Sequence, residues 1–129
     1  MEFPITHVHI KSVEPHKSAE WWQKHFGARV VEEVTALPGT RTIRMAVGGN
    51  CRLFISTQPE GQKLPPSSPT PHLGLEHFGF DVPDLAKELA RLDKEGVKIV
   101  RPLTVIPGGM KIAFVQAPDD VQVELVEAR

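Results

Sequence analysis

His7, His9, His77 and Glu124 are the residues of this sequence whose types and spacing could do chemistry together. Two imidazole nitrogens and one carboxylate oxygen suffice to hold a divalent metal ion. Such a donor set leaves coordination positions open for a substrate and, where a reaction needs it, for O2. A further imidazole, with an ordinary pKa of about 6.5, can move a proton near neutrality. The same side chains have plainer uses: a strand histidine can be a satisfied polar residue, and Glu124 a solvated one. The two readings differ in whether the elements carrying these residues send them to one side.

The elements can be read from periodicity and punctuation. Residues 4–11, 41–47, 51–57, 111–116 and 121–127 read as strands, and 29–34 and 97–103 add one more to each half of the chain. Pro15 suits the first turn of a helix that Gly27 closes; Asp84 can cap a second helix that Gly96 ends, with Leu85, Leu89 and Leu92 on one face. A strand sends alternate side chains to opposite faces. If Phe78, Phe80 and Val82 pack under a helix, then His77, Gly79 and Asp81 face away from it. Val121, Val123 and Leu125 likewise leave Gln122, Glu124 and Val126 on the other face, and Val8 and Ile10 leave Ile5, His7 and His9 there. Gln122, beside Glu124, can hold a ligand or simply line that face.

The order of elements occurs twice. His7 and His77 each stand seven residues before an acidic residue, Glu14 or Asp84, and 20 or 19 residues before a glycine, Gly27 or Gly96. Pro38-Gly39 with Ile43 and Met45 matches Pro107-Gly108 with Ile112 and Phe114, so the offset reads as 70 early in the halves and 69 late. Between them Pro59, Pro65, Pro66, Pro69 and Pro71 crowd an irregular connector. The expected fold class is therefore α+β: two βαβββ modules, about 1–58 and 73–129, joined by a proline-rich connector, 59–72, within one domain of 129 residues. Neither half has enough core to be stable alone.

Composition narrows the function. With 15 Lys+Arg against 16 Asp+Glu the net charge is −1, which argues against a nucleic-acid or anionic-membrane partner. A single cysteine, Cys51, precludes an intrachain disulfide and has no evident activating neighbour. No signal-peptide pattern opens the sequence and no apolar run reaches membrane-spanning length, so a cytoplasmic protein is expected. His16 and His25, on or beside the first helix, read as surface or capping residues, and His72 as a connector residue. Trp21-Trp22 reads as a contribution to the core, with one ring free to reach a cleft or subunit interface, since adjacent helix positions cannot both face the same way. Gly48-Gly49 and Gly108-Gly109 read as turns rather than phosphate-binding loops.

The sequence resembles the vicinal oxygen chelate superfamily, which includes glyoxalase I, the bleomycin-resistance proteins, methylmalonyl-CoA epimerase and the extradiol dioxygenases. The resemblance is carried by His7-Val-His-Ile with Trp21-Trp22 and Phe26-Gly27, by His77-Phe-Gly-Phe-Asp-Val-Pro-Asp84, and by the closing stretch from Ile112 to Glu127. It covers nearly the whole chain except the connector, and implies a curved mixed sheet around a cleft. It also implies one divalent metal ion (Fe, Mn, Zn or Ni) held by His7, His77 and Glu124, a small substrate chelated through two neighbouring oxygens, and a homodimer as the expected assembly. At an offset of 69, Ile55 falls opposite Glu124, where glyoxalase I and the epimerase carry a Glu or Gln ligand that can also serve as base.

That departure favours a three-ligand site and is also compatible with loss of the metal site in a binding-only member. The expected function is a metal-dependent enzyme of dioxygenase-like or lyase/isomerase-like type, with His9 as its acid/base residue or as a hydrogen-bonded bystander. The alternative is a metal-free small-molecule binding protein of the bleomycin-resistance type, motivated by Leu53 and Ile55 as cleft-facing apolar residues.

Overall fold

The computed structural model describes residues 1–128, and contacts divide them into two units, Met1–Pro65 and the stretch from Pro66 onward. The first unit runs β1 (His7–Lys11), α1 (Pro15–Phe26), β2 (Arg29–Val34), β3 (Thr42–Ala46) and β4 (Arg52–Ser56). The second runs β5 (His77–Asp81), α2 (Leu85–Lys94), β6 (Lys98–Val105), β7 (Lys111–Gln116), a short turn of 3-10 helix (Pro118–Asp120) and β8 (Gln122–Glu127). Each unit is a four-stranded mixed sheet, ordered β1-β4-β3-β2 or β5-β8-β7-β6, with the first-named pair parallel and the others antiparallel. The expected βαβββ module is thus present twice. Among the described residues, no helix is long and apolar enough to cross a membrane.

The helices end where their sequences say they should. Pro15 occupies the first turn of α1, where a missing N–H costs nothing, and Gly27 closes it at φ 64°, with its own N–H donating to Gln23 O and that of Ala28 to Trp22 O. In α2 the Asp84 carboxylate accepts the Lys87 N–H at 3.1 Å. Leu85 stands where α1 has its proline, and its N–H donates to the Glu127 carboxylate at 2.7 Å, reaching across from the end of β8. Each helix lies on its own sheet. Trp22 and Ala19 cover Ile10, Ile43, Met45, Leu53 and Ile55; Leu85, Leu89 and Leu92 cover Ala113, Val115, Val123 and Leu125, all buried.

The strand registers correct the repeat. His7 pairs with Arg52 and His77 with Gln122, so the offset between β4 and β8 is 70 rather than 69, and the residue equivalent to Glu124 is Phe54. Ile55 belongs to the opposite face; it and Leu53 are core under α1, neither of them cleft-facing. Ile43 and Met45 correspondingly match buried Ala113 and Val115 rather than Ile112 and Phe114. An offset of 69 holds only from the helix ends into β2 and β6, where Val30 and Ile99 face Met45 and Val115, and Glu32 and Arg101 face Arg44 and Phe114. A bulge in β6, where the step from Arg101 to Thr104 spans that from Phe114 to Ile112, puts the missing residue back. The first strand is also shorter than expected: Pro4 has no N–H to offer, and the ladder is joined only at Thr6, whose carbonyl accepts the Arg52 N–H.

Candidate functional site

In the second unit the face turned away from α2 carries His77 and Gly79 on β5, Gln122 and Glu124 on β8, and Phe114 on β7. His77 Nε2 lies 3.1 Å from Glu124 Oε2, and its Nδ1 lies 3.4 Å from Glu76 Oε1. One imidazole is therefore flanked by two carboxylates. The Phe114 ring meets it edge-on, with centroids 4.9 Å apart. Gly79 sits opposite Glu124 in the ladder with an ordinary strand backbone, so its lack of a side chain is about space: a Cβ there would lie 3.3 Å from Glu124 O and 3.8 Å from Glu124 Oε2.

Two lone-pair donors so close need a positive centre between them, either a proton on Nε2 or a metal ion. Neighbouring ligands each about 2.1 Å from one ion stand ~3.0 to ~3.4 Å apart. The observed 3.1 Å fits without movement of either side chain. His77 and Glu124 are thus spaced as two neighbouring ligands of one divalent cation would be. Nδ1 itself is buried and makes no hydrogen bond, the Glu76 carboxylate standing near it but outside hydrogen-bonding geometry.

The first unit has different chemistry at the equivalent places. His7 is exposed, shares a 2.8 Å hydrogen bond between Nδ1 and the Thr6 hydroxyl, and stacks on the Phe54 ring at 4.4 Å. With Nδ1 so engaged, Nε2 is the nitrogen left for a metal. His9 stands where the second unit has Gly79; its Nε2 is hydrogen-bonded to the Ser56 hydroxyl at 2.7 Å, and its ring meets Phe54 edge-on. Partial loss of hydration holds the pKa of His9 below its ordinary value, and the positive charges of Lys11 and His7 push the same way. Arg44, beside Phe54 in the ladder, lies with its guanidinium 5.0 Å from the ring centroid and donates from Nη1 to Glu32 at 2.8 Å.

Of the four residues expected to act together, His77 and Glu124 meet directly, while His7 and His9 share a face of the other unit. Within either unit, among the described residues, no three His, Cys, Asp or Glu side chains form a metal-holding group. Sequence reasoning missed Glu76, which parity says nothing about because it precedes the strand, and missed Phe54, which an offset of 70 would have found. Gln122 is buried, with its amide donating to Asp120 O. His25, expected as a surface or capping residue, is buried in the last turn of α1 with its ring against Trp21. Trp22 is fully buried and Trp21 half-buried, as adjacent helix positions require.

A model of the Glyoxalase/Bleomycin resistance protein/Dioxygenase superfamily matches residues 5–125. The chain belongs to this superfamily. Over 56 residues the superfamily member described here is 43% identical to a lactoylglutathione lyase of Pseudomonas aeruginosa, a stretch covering 43% of this chain and 30% of that protein. Among solved structures, the glyoxalase family protein from Enterococcus faecalis is 26% identical with a TM-score of 0.79, the match covering 96% of this chain and 97% of that one. A glyoxylase/bleomycin resistance protein/dioxygenase domain from Frankia sp. EAN1pec superposes over all of both chains with a TM-score of 0.82 at 18% identity, a likeness of fold.

Proposed function

We propose that this superfamily member is a divalent-metal-dependent enzyme, with His77, Glu124 and His7 as metal ligands and a small substrate that binds through two neighbouring oxygens. The observation that carries this reading is the 3.1 Å approach of His77 Nε2 to Glu124 Oε2, with Gly79 leaving room for it. When bound, a divalent ion supplies Lewis-acid polarisation of substrate oxygens. The chain's own residues do the rest. Thr6 orients the His7 ring, and Phe114 walls one side of the His77–Glu124 pair. His9 is the proposed proton carrier: its Nε2 is tied to the buried Ser56 hydroxyl, so a proton is exchanged at Nδ1 or through that hydroxyl.

The reaction proposed is of the lyase type, on the strength of the local likeness to the Pseudomonas aeruginosa lactoylglutathione lyase. A second reading, a dioxygenase-like reaction, is favoured by Phe54, which occupies the position equivalent to Glu124 and cannot ligate. The metal-free binding alternative loses its apolar motive, because Leu53 and Ile55 are core, and keeps the other, a non-ligating residue opposite Glu124. The working form is proposed to be a cytoplasmic homodimer, for which sedimentation at twice the chain's mass is the expected result.

The deciding experiment is metal analysis after exposure to Fe(II), Mn(II), Ni(II) and Zn(II), with His77→Ala as control. About one equivalent in the wild type and loss in the variant are expected. Less than about a tenth of an equivalent in the wild type overturns the proposal. Parallel assays of thioester-forming lyase activity and of O2 uptake with a catechol separate the two reaction types.

A further inference from the structure

We propose that the first unit binds the carboxylate of a small ligand through the Nε/Nη2 edge of Arg44. A guanidinium offers its donors as forks, and the fork made by Nε and Nη2 matches the two oxygens of a carboxylate. In Arg44 the other end is spoken for: Nη1 donates to Glu32 Oε1 at 2.8 Å. Nε has no hydrogen-bond partner and no accessible surface, so a ligand oxygen reaches it as the side chains over that edge shift. A desolvated N–H without an acceptor is a standing cost to the fold, and a ligand oxygen is the group that would remove it.

The opposite end and one face of the guanidinium are held before any ligand arrives. Glu32 fixes one end of the guanidinium, and the Phe54 ring, 5.0 Å from its carbon, fixes the plane. On the same ring His7 stacks at 4.4 Å, so the fork and the proposed metal-ligating imidazole share one aromatic support. An anchor that is already ordered loses little entropy on binding. Charge favours an anion as well: alternation places Lys11 and Arg52 on the face that carries Arg44, against the single carboxylate of Glu32.

The repeat sharpens the assignment. In the second unit the places of Arg44 and Glu32 are taken by Phe114 and Arg101, so the fork exists in one copy only, just as the His–Glu pair exists in the other. That the bound carboxylate belongs to the enzyme's substrate rests on the metal-dependent reading. Affinity for a carboxylate does not, and the test is therefore made on metal-free protein.

The probe is benzoate, with benzamide as its neutral counterpart, titrated into full-length protein stripped of metal and dialysed free of chelator. Binding is read from the side-chain Nε–H resonance of Arg44 in 1H–15N spectra and from calorimetry. Benzoate is expected to shift the Arg44 Nε–H signal, with benzamide binding at least tenfold more weakly. Arg44→Gln and Arg44→Lys, which lacks the planar fork, are both expected to weaken benzoate at least tenfold. Equal binding of benzamide, an unmoved Nε–H signal at saturating benzoate, or undiminished affinity in a folded Arg44→Gln protein would overturn the proposal. The wild-type resonance decides the matter even where a variant does not fold. A protein that takes benzoate but no metal would refute the metal reading and leave this one standing.

Discussion

Phe54 and Ile55 are neighbours in sequence and belong to opposite faces of β4, and exchanging them for other residues tests the register on which the site rests. Ile55 has no exposed surface under α1, so Ile55→Ala leaves a cavity and is expected to cost about 2–5 kcal/mol. With an unfolding entropy of ~2.1 cal/mol/K per residue, or about 270 cal/mol/K for the chain, that lowers Tm by roughly 7–18 °C. Phe54→Ala removes a ring that is only half-buried between His7 and Arg44, expected to cost about 1 kcal/mol and ~4 °C. Were the first unit to melt alone, both shifts would grow and their ratio would stand. Carboxylates make the contrast sharper. Ile55→Glu buries a charge with no partner, at a cost comparable to the whole stability of a domain of this size, about 5–15 kcal/mol. Phe54→Glu sets one beside His7 and Arg44, where the protein should fold. Circular dichroism melts of the four variants are the assay. An equal loss from Phe54→Ala and Ile55→Ala, or a folded Ile55→Glu beside an unfolded Phe54→Glu, would refute the register and with it the equivalence of Phe54 and Glu124.

Gly79→Ala sets a Cβ 3.3 Å from the Glu124 main-chain oxygen and should therefore strain the β5–β8 pairing, lowering Tm by a few degrees in a melt and, through the shifted strand, weakening metal binding by equilibrium dialysis. Glu127, whose carboxyl is held below its usual range by the Leu85 N–H and then by Lys111, stabilises the start of α2 above its unfolded pKa of about 4.5. That contribution is lost as pH falls through the lowered value, and Glu127→Gln should speed hydrogen exchange at the Leu85 amide near neutral pH. His72 carries the opposite sign: Thr70 O and then Leu75 O face its two ring nitrogens and raise its pKa, with Glu76 adding to the effect. The resulting clasp of residues 70–75 is fully present below about pH 6.5 and is lost as pH rises through the raised value. Imidazole chemical shifts followed over pH 5 to 9 should report it, and a His72 midpoint at or below ~6.5 would contradict the geometry.

Much of this fold can be read before any coordinates, because its signals are local. Pro15 and Gly27 bracket α1, Asp84 caps α2, and the alternation along β5 and β8 puts His77 and Glu124 on one face. What fails is the arithmetic between the copies. Two motifs can be aligned at 69 or at 70, and only hydrogen-bonded pairing shows that a one-residue difference at the helix is undone by a bulge in β6. Parity alone would have exposed the error, since Ile55 alternates with Leu53 as core while Glu124 does not. Glu76 and Arg44 escape sequence reading for another reason. Their contacts are made across strands or from a loop, where spacing along the chain carries no signal.

The carboxylate of Glu127 reaches the first amide of α2 from the helix side of β8, while Glu124, on the same strand, looks the other way. This arrangement makes the strand intolerant of misalignment. A slip of one residue would drive Glu124 into the apolar layer beneath α2, bring Leu125 out, and withdraw Glu127 from its helix and from Lys111. Mispaired forms of the second unit would thus lose a helix cap and bury a charge together. The strand that supplies a proposed metal ligand also polices its own registration during folding.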